Sequence, residues 1–460
     1  MWSYHPDLLA TPVPRYTSYP TAVEFTDDVG AGDYVAALDR IASATPVSLY
    51  IHIPFCEQIC WYCGCNTGAA NRTQRLTDYL TALRSEIAMV AKRIGGRARV
   101  QRIAFGGGSP NAIAPIDFVR LLDRILTVFD VSNPEISIEI DPRGFSAEWA
   151  RVLSASSVTR VSLGVQTFEP QIQQAIGRVQ PLTEIENAVA SLRLRGIDAI
   201  NFDLMYGLPG QSLADLDATL DETIRLAPSR IALFGYAHLP AMIPRQRRID
   251  ASNLPDLRLR FEQAALGFDR LTAAGYIPIG FDHFALPTDT LAIAASEGRV
   301  NRNFQGFADD DASILLGFGA SAISKFPDLI VQNEKRAGAY REQIAAGQLT
   351  AVRGVAIDAD DGERGAIIRD LLCRGRARID MPLRDAAHSA MAAFELRNLI
   401  AWQDNDLVVQ ESGWPYTRHI AAHFDRVRGA VQRGSSNADC NDSPTYSPTI
   451  KPVGGEFRTR

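Results

Sequence analysis

The sequence predicts an α/β fold, an open partial (β/α)6 barrel, and two observations support this prediction. Short apolar runs rich in β-branched residues alternate six times with longer amphipathic stretches. Repeated strand and helix imply parallel βα units, and six of them indicate an open, partial barrel. The chemically unusual residues fall at the carboxyl ends of the predicted strands, which is where barrels of this kind bind ligands.

The predicted elements follow each other along the chain in strand-helix order. The strands are predicted at 48–53, 102–105, 136–140, 160–165, 199–205 and 231–234. Apolar residues at helical spacing predict helices at 73–92, 116–129, 182–194, 213–226 and 257–273. A mixed stretch beyond Ile277 is predicted to close the open side of the barrel.

Four segments are expected along the chain. An irregular N-terminal arm covers 1–47, and the barrel with its closing extension covers 48–355. A small, mostly helical C-terminal domain covers 356–432, with a strand pair at about 399–409. The tail at 433–460 has too few apolar residues to form a core and is expected to be disordered.

Composition narrows the class of protein. The chain has 460 residues, 46% of them hydrophobic, and a net charge of −6. An acidic chain of this kind is not expected to bind nucleic acid. No apolar run approaches the roughly 20 residues that a membrane helix needs. The N-terminus lacks the basic and apolar regions of a signal peptide, so we expect a cytoplasmic protein with reduced thiols, and a monomer.

Four of the six cysteines lie within ten residues, namely Cys56, Cys60, Cys63 and Cys65. Three thiolates at C-x3-C-x2-C spacing can hold a 4Fe-4S cluster and leave one iron open. An open iron can bind S-adenosylmethionine and pass an electron to its sulfonium. Structural zinc is the alternative, although zinc sites usually pair two arms from separate elements and Cys65 is too close to Cys63 to form a second arm.

Other motifs at strand ends suggest ligand contacts. The glycines at 106–108 allow close approach to a ligand, although a tight turn alone would also explain them. Glu139 and Asp203 are acids on strands that we expect to be buried, so they need partners, either ligand groups or a structural ion pair. The histidines at 52, 238 and 283 show no metal-binding spacing and are expected to be hydrogen-bonded core residues.

The motifs together resemble the oxygen-independent coproporphyrinogen III oxidase (coproporphyrinogen III dehydrogenase) family of radical S-adenosylmethionine enzymes. The resemblance covers roughly 10–375. It is carried by the strings PRYTSYPT at 14–21, YIHIPFC at 50–56, CWYCGCN at 60–66, EISIE at 135–139, GVQ at 164–166, DLMYGLP at 203–209, YAHLP at 236–240, DHFA at 282–285, RNFQG at 302–306 and GASAIS at 319–324. The arm and Cys65 distinguish the chain from the related haem chaperones, which lack both features.

The resemblance implies a role for each matching residue. Cys56, Cys60 and Cys63 would bind the cluster, and Cys65 would line the pocket. A first S-adenosylmethionine would contact Tyr50, Tyr62, Gly107, Glu139 and Ile323, and a second would contact Gly108, Ser109, Gln166, Arg178, Asp203 and Ala237. Gln305 would lie at the cavity floor. The residues implied to act in catalysis are Cys65, Glu139, Gln305 and Ile323.

The implied reaction is decarboxylation of two propionates of coproporphyrinogen III, giving protoporphyrinogen IX through a 5'-deoxyadenosyl radical. The electron donor would be reduced flavodoxin or a similar protein, and the acceptor stays open. We expect the arm to fold over the barrel mouth, and Arg15 or C-terminal arginines to hold the other carboxylates. The alternatives are a haem-opening radical methyltransferase and a non-catalytic haem chaperone.

Two positions depart from the family pattern. The glycine motif usually ends Thr-Pro-Thr, and here it reads Ser109-Pro110-Asn111. The residue before Tyr236 is usually asparagine, and here it is Gly235. Both changes are expected to affect the second S-adenosylmethionine site more than the first.

Overall fold

A computed structural model describes residues 2–70, 73–304, 306–310 and 312–427. Its helices are α1 (Pro6–Leu9), α2 (Ala31–Asp39), α3 (Thr73–Ile94), α4 (Pro115–Val128), α5 (Ala147–Ala155), α6 (Pro170–Ala175), α7 (Leu182–Arg193), α8 (Leu213–Leu226), α9 (Leu257–Ala273), α10 (Thr290–Ser296), α11 (Ala337–Ala345), α12 (Ala359–Arg374), α13 (Met381–Glu395) and α14 (Thr417–Ala422).

The strands form one large sheet and three small ones. They are β1 (Thr45–Ile53), β2 (Phe55–Cys56), β3 (Gly68–Ala69), β4 (Ala98–Gly107), β5 (Asp130–Ile140), β6 (Arg160–Gln166), β7 (Ala199–Tyr206), β8 (Arg230–Gly235), β9 (Ile277–Ile279), β10 (His283–Ala285), β11 (Asn301–Asn303), β12 (Gly306–Ala308), β13 (Ile314–Phe318), β14 (Ile323–Phe326), β15 (Leu329–Asn333), β16 (Ala351–Ala356), β17 (Arg376–Arg378), β18 (Ile400–Gln403) and β19 (Asp406–Val409).

The centre of the large sheet confirms the predicted parallel strands. Its order is β16-β15-β14-β13-β1-β4-β5-β6-β7-β8-β10-β9, and the pairs from β1 to β8 are parallel. All six predicted strands lie within β1 and β4–β8, although β1 begins at Thr45, three residues before the predicted start. Connecting helices cover the sheet with their apolar faces, as α3 does with Tyr79, Leu83 and Ile87.

The stretch after Ile277 extends both edges of the sheet. Strands β10 and β9 add antiparallel pairs beyond β8, whereas β13 pairs in parallel with β1 and leads to β14–β16. The segment between these additions crosses the amino-terminal ends of the central strands. There Asp289 pairs with Arg160 and Arg230, and Asp309 pairs with Arg102. Ion pairs therefore cover the amino-terminal end of the central strands. The first and last strands of the large sheet do not pair with each other, so the sheet is not a closed barrel.

The arm and the C-terminal part share a core of their own. Tyr16 and Tyr19 pack with apolar residues of α12, α13 and the β17-β19-β18 sheet. The predicted strand pair is confirmed as β18 and β19, and β17 adds a third strand. The expectation of an irregular arm overlooked α2, whose Tyr34 and Leu38 are buried in the barrel core. The predicted disordered tail lies outside the described residues.

Membrane-spanning character is not found in the described helices: none is both long and apolar enough to cross a bilayer.

Candidate active site

A cavity of about 370 Å³ lies at the carboxyl ends of the central strands. The loop that follows β2, the turn that follows β4, the ends of β5–β8 and the segment 236–246 form its walls. Most of the predicted site residues line it together, namely Cys56, Cys60, Tyr62, Cys63, Cys65, Gly107, Gly108, Ser109, Glu139, Gln166, Arg178, Asp203 and Ala237. Barrels of this kind bind ligands at the carboxyl ends of their strands, so residues that are distant in sequence are expected to meet there.

Two predicted residues that the structure describes do not line this cavity. Tyr50 lies on β1, where its hydroxyl is 3.3 Å from Nδ1 of His52, and the charge of Glu139 helps burial to raise the pKa of Tyr50. Ile323 begins β14, which only β13 separates from β1 in the sheet, and it pairs with Gln332 of β15. Gln305 lies outside the described residues.

Backbone hydrogen bonds close the cysteine loop on itself and attach it to the residue that follows α6. Ala70 N donates to Cys56 O at 2.9 Å, and Trp61 N donates to Ile176 O at 3.0 Å. Cys60 is buried, and its Sγ lies 3.3 Å from a guanidinium nitrogen of Arg178 and the same distance from Arg143. The cysteines that the structure describes are all free thiols.

The protonation of the thiols reflects their crowding. A hydrogen bond from the Cys65 thiol lowers the pKa of Cys63 to about 6. Burial, together with the neighbouring Cys63 and Cys60, raises the pKa of Cys56 to about 12. Thiols that oppose one another's ionisation become thiolates when a cationic centre binds them, so this loop suits a metal cluster.

The spacing of the thiols favours an iron-sulfur cluster over zinc. Tetrahedral zinc binds sulfur at about 2.3 Å and therefore brings its thiolates within about 4 Å of each other. No three cysteine sulfurs of the described residues lie within 4.8 Å of one another. In a 4Fe-4S cluster each thiolate binds a different iron, and the thiolates stay farther apart. Cys56, Cys60 and Cys63 therefore fit such a cluster.

The glycine turn brings backbone against Glu139. Gly107 N donates to Glu139 Oε2 at 3.1 Å, and Gly107 has a φ of +111°. A Cβ on Gly106 would lie 2.6 Å from Glu139 Oε1, so a larger residue there would displace the Glu139 carboxylate. The turn is also tied to the cysteine loop, because Ser109 N donates to Phe55 O at 2.8 Å.

Glu139 and Asp203 are neighbouring acids in the cavity. The expectation that Glu139 is buried is wrong, because its side chain is open to the cavity. Desolvation by the protein around the cavity still raises the pKa of Glu139 to about 7, and the charge of Asp203 adds to this shift. Asp203 accepts hydrogen bonds from Ser162 Oγ at 2.8 Å and Asn201 Nδ2 at 2.9 Å. Neither carboxylate forms an ion pair with a described residue, so the alternative of a structural ion pair does not hold here.

Arg178 and Asp141 form a buried ion pair beside the cysteine loop. Arg178 Nη2 lies 3.1 Å from Asp141 Oδ1 and donates to Gly164 O at 2.6 Å. Arg143 also pairs with Asp141, at 2.6 Å. Burial acts to raise the pKa of Asp141, but these two guanidinium groups hold it below its usual value. Two guanidinium groups therefore lie next to the sulfur of Cys60.

Gln166 ends β6 in an unusual conformation. Its φ is +66°, a value that costs free energy for any residue except glycine, and the register of β6 shifts at this point. Its side chain is buried against the cavity. Strain of this kind is typical of positions where a side chain must be directed into a site.

The sequence analysis missed several lining residues. Asp141, which directly follows β5, is not among them, because acids at the strand ends were already expected, and its partner Arg143 does not line the cavity. Arg245 and Gln246 come from the turn Pro244–Arg248, where no local pattern marks a site. Gln246 Nε2 donates to Tyr62 O at 2.8 Å and Ala237 O at 3.1 Å, and so joins the cysteine loop to the end of the barrel.

Comparison with known proteins places this geometry in a family. The model of the radical SAM superfamily matches residues 50–223. An oxygen-independent coproporphyrinogen III oxidase of Bradyrhizobium diazoefficiens is 43% identical over 423 residues, which is 90% of this chain and 94% of the relative. The chain belongs to the oxygen-independent coproporphyrinogen III oxidase family. The enzyme of that name from Pseudomonas aeruginosa is 41% identical over 78% of this chain and 79% of its own length.

The solved coproporphyrinogen III oxidase of Escherichia coli, a radical SAM enzyme, has the same fold as this family member. The two structures align with a TM-score of 0.86 and 32% identity, over 93% of this chain and 99% of the other. The resemblance predicted from the motifs is thus confirmed, and so is the fold class. The alignment extends beyond the barrel, which shows that the shared architecture includes the C-terminal part.

Proposed function

We propose that the protein catalyses the anaerobic oxidative decarboxylation of coproporphyrinogen III to protoporphyrinogen IX, a step of haem biosynthesis. The observation that carries the proposal is the meeting of the three-cysteine loop, the glycine turn and Glu139 in one cavity. It occurs in a chain 43% identical, over 90% of its length, to a protein named as this oxidase. The protein is accordingly an oxidoreductase.

Cys56, Cys60 and Cys63 would hold a 4Fe-4S cluster, and Cys65 would line the pocket beside it. When bound, the cluster and S-adenosylmethionine supply a 5'-deoxyadenosyl radical, the species that removes hydrogen from a propionate side chain. Glu139, held by Gly107 N, offers an acceptor for the amino or ribose hydroxyl groups of S-adenosylmethionine. Tyr50, Tyr62, Gly107 and Ile323 complete this first site by resemblance.

A second S-adenosylmethionine site is proposed around the ends of β4 and β6–β8. Its residues are Gly108, Ser109, Gln166, Arg178, Asp203 and Ala237, all of which line the cavity. The structure explains the departure from the family pattern at Asn111. Its Nδ2 donates to Asp141 O at 2.9 Å, and its Oδ1 accepts from Asp141 N at 3.0 Å. Asn111 thus fixes the turn, and Ser109 keeps the hydroxyl that the family pattern has.

The departure at Gly235 also has a structural reason. A Cβ at this position would lie 2.9 Å from the Tyr206 hydroxyl, and Gly235 O accepts a hydrogen bond from Arg15 at 2.8 Å. Glycine therefore makes room for Tyr206 and for the arm. Arg15 lines the catalytic cavity, which supports the expectation that the arm covers the barrel mouth.

Each decarboxylation converts a propionate into a vinyl group and releases carbon dioxide. The reaction removes one hydrogen atom and one further electron, so it needs both a donor that reduces the cluster and an acceptor. We propose reduced flavodoxin or a similar protein as donor and leave the acceptor open. Gln305 is proposed to act at the floor of the cavity, and the enzyme is proposed to work as a cytoplasmic monomer.

Anaerobic turnover with coproporphyrinogen III tests the function. The reconstituted protein should release a divinyl product and form 5'-deoxyadenosine, and Cys60→Ser should lose both along with its iron and sulfide. Cys373→Ser, which changes a buried thiol outside the site, serves as the matched control and should retain the cluster. Methylated products would indicate a methyltransferase, and tight haem binding without cleavage of S-adenosylmethionine would indicate a chaperone.

A further inference from the structure

A second cavity of about 510 Å³ adjoins the catalytic one. Ala237 lines both, so the two cavities meet at the carboxyl end of β8. The arm, α9, the strand end near β10 and the start of α14 form its walls. Aromatic rings line much of it, namely Trp2, Tyr206, Phe261, Phe268, Phe281 and Phe284. A cavity of this size and lining suits part of a largely apolar ring system.

Arg418 projects a charge into this apolar cavity. Its guanidinium lies 5.2 Å from the centre of the Phe281 ring, and it forms neither a hydrogen bond nor an ion pair with any described residue. Arg15 stands at the junction, 5.2 Å from the Phe234 ring, and lines the catalytic cavity. A guanidinium that stacks on an aromatic ring can still donate hydrogen bonds from its edge to a carboxylate.

Three arginines surround one carboxylate at the junction. Arg15, Arg302 and Arg418 all interact electrostatically with one carboxylate, that of Asp282. Asp282 already accepts a hydrogen bond from His283 at 2.6 Å. Arg302 is only 6% exposed, and its Nη1 has no hydrogen-bond partner among the described residues. Positive charge that is buried in excess costs free energy until an anion binds.

Arg302 holds the N-terminal arm in position beside the two cavities. Its Nε donates to Tyr16 O at 3.3 Å and its Nη2 to Arg15 O at 3.4 Å, while its guanidinium lies 4.3 Å from the Phe307 ring centre. Arg302 therefore fixes the arm where Arg15 reaches the catalytic cavity. The three arginines, Arg15, Arg302 and Arg418, come from the arm, the barrel extension and the C-terminal part, so all three segments are needed to bring them together.

We propose that Arg418 and Arg15 bind the carboxylates of the substrate that do not react, with the edge of the macrocycle lying in the second cavity. The inference rests on the proposed function and names the contacts by which the substrate is held. Two propionates of coproporphyrinogen III react and two remain, and each remaining one needs a cation when it leaves water. The aromatic walls then supply apolar contact for the pyrrole rings.

Binding of coproporphyrin III, the stable oxidised form, tests the proposal without turnover. Its absorbance is followed during titration of the anaerobically reconstituted holoenzyme, in parallel with its tetramethyl ester, which lacks the charges. Arg418→Gln should weaken binding of the free acid by about 10- to 100-fold, as expected for loss of a charged hydrogen bond, and leave ester binding within about threefold. Arg418→Lys should recover part of the loss.

Two further variants separate the charge from the cavity. Ala264→Phe fills the second cavity from α9 and should weaken the acid and the ester alike. Arg376→Gln removes an exposed arginine that pairs with Asp406 in the same C-terminal part, and it should bind both probes normally. Iron content of each variant confirms that it is folded.

The proposal is overturned if Arg418→Gln binds the free acid as wild type does, or if it weakens the acid and the ester equally. It is also overturned if Ala264→Phe binds both probes normally. These outcomes are distinct from failure of the proposed function. In that case the wild-type enzyme would make no vinyl product from coproporphyrinogen III, whatever the titrations showed.

Discussion

Two glutamates of this protein share a pKa but not their surroundings. Desolvation by the surrounding protein raises the pKa of both Glu86 and Glu139 to about 7. Glu86, on α3, is fully buried and accepts hydrogen bonds from Tyr340 Oη at 2.6 Å, Asn333 Nδ2 at 2.7 Å and Gly319 N at 2.7 Å. Glu139 has one donor, Gly107 N, and faces a cavity.

The difference separates a structural acid from a site acid. The donors of Glu86 come from α11, from the end of β15 and from the turn after β13, so this carboxylate joins elements that close the edge of the sheet. Glu139 leaves acceptor capacity unused at the place where a ligand can reach it. The same pKa thus accompanies different functions, and the number of unused hydrogen-bond positions distinguishes the two better than the pKa does.

Replacement of Glu139 should have the largest effect on activity. Glu139→Gln keeps the shape but removes the charge, and we expect dithionite-driven cleavage of S-adenosylmethionine to fall by about 100-fold or more. The free energy of unfolding should change by less than about 1 kcal/mol, since the carboxylate has only one donor to lose. Anaerobic assay of 5'-deoxyadenosine and urea unfolding measure the two quantities.

Asp203→Asn sharpens this prediction. If Asp203 belongs to a second S-adenosylmethionine site, its replacement should weaken binding there and spare most of the cleavage. Equal loss of cleavage in the Glu139 and Asp203 variants would mean that the two acids serve one shared site.

Replacement of Glu86 should have the largest effect on stability. Glu86→Ala leaves three buried donors without a partner, and we expect the free energy of unfolding to fall by about 3–5 kcal/mol. Asp328→Ala is the control, because it removes an exposed ion pair with Arg40 and should cost less than about 1 kcal/mol. Denaturant unfolding of both variants gives the comparison, and a loss no larger than the control's would contradict the structural role of Glu86.

Much of the contrast between these two acids can be predicted from the sequence, for physical reasons. Apolar runs mark the parallel strands because central strands are buried on both faces, and an acid inside such a run stands out. The sequence alone therefore makes Glu139 a candidate site residue. It does not do so for Glu86, because one acid on an amphipathic helix is ordinary, and only the fold shows that it points inward.

Contacts between distant segments could not be predicted in this way. Nothing local shows that Tyr16 and Tyr19 share a core with α12 and α13, or that Gln246 holds the cysteine loop. Helix α2 was missed because its residues, AGDYVAALD, include only a short apolar stripe. These features depend on how elements pack, and the chain's periodicity carries no information about that packing.

An added methyl group at the glycine turn should have a smaller effect on activity than the loss of Glu139. In Gly106→Ala the new Cβ would lie 2.6 Å from Glu139 Oε1, so the carboxylate must move away from Gly107 N. We expect the affinity for S-adenosylmethionine to fall by about tenfold, roughly the value of one charge-assisted hydrogen bond. Equilibrium binding under anaerobic conditions measures it.

A matched glycine provides the control. Gly338 lies in α11, and a Cβ there would meet no atom within 4 Å. Gly338→Ala should therefore bind S-adenosylmethionine normally and gain about 0.5–1 kcal/mol of stability from reduced chain entropy. If Gly106→Ala also binds normally, Glu139 does not depend on the turn for its position.

The smallest expected effect is a difference in the pH dependence of stability. An unfolded glutamate has a pKa near 4.5, whereas folded Glu86 has a pKa of about 7, so the folded protein holds a proton that the unfolded chain releases between these values. The contribution of protonated Glu86 is present below pH 4.5 and is lost as the pH rises through 7. Its slope is at most about 1.4 kcal/mol per pH unit.

The difference in unfolding free energy between wild type and Glu86→Gln, measured from about pH 4.5 to 7.5, isolates this group from the other acids. The same experiment with Glu139→Gln should give a slope of similar size, because linkage depends only on the pKa shift and the two folded pKa values are alike. A flat difference for Glu86→Gln would show that its folded pKa is not raised, and the description of Glu86 as a sealed structural acid would then fail.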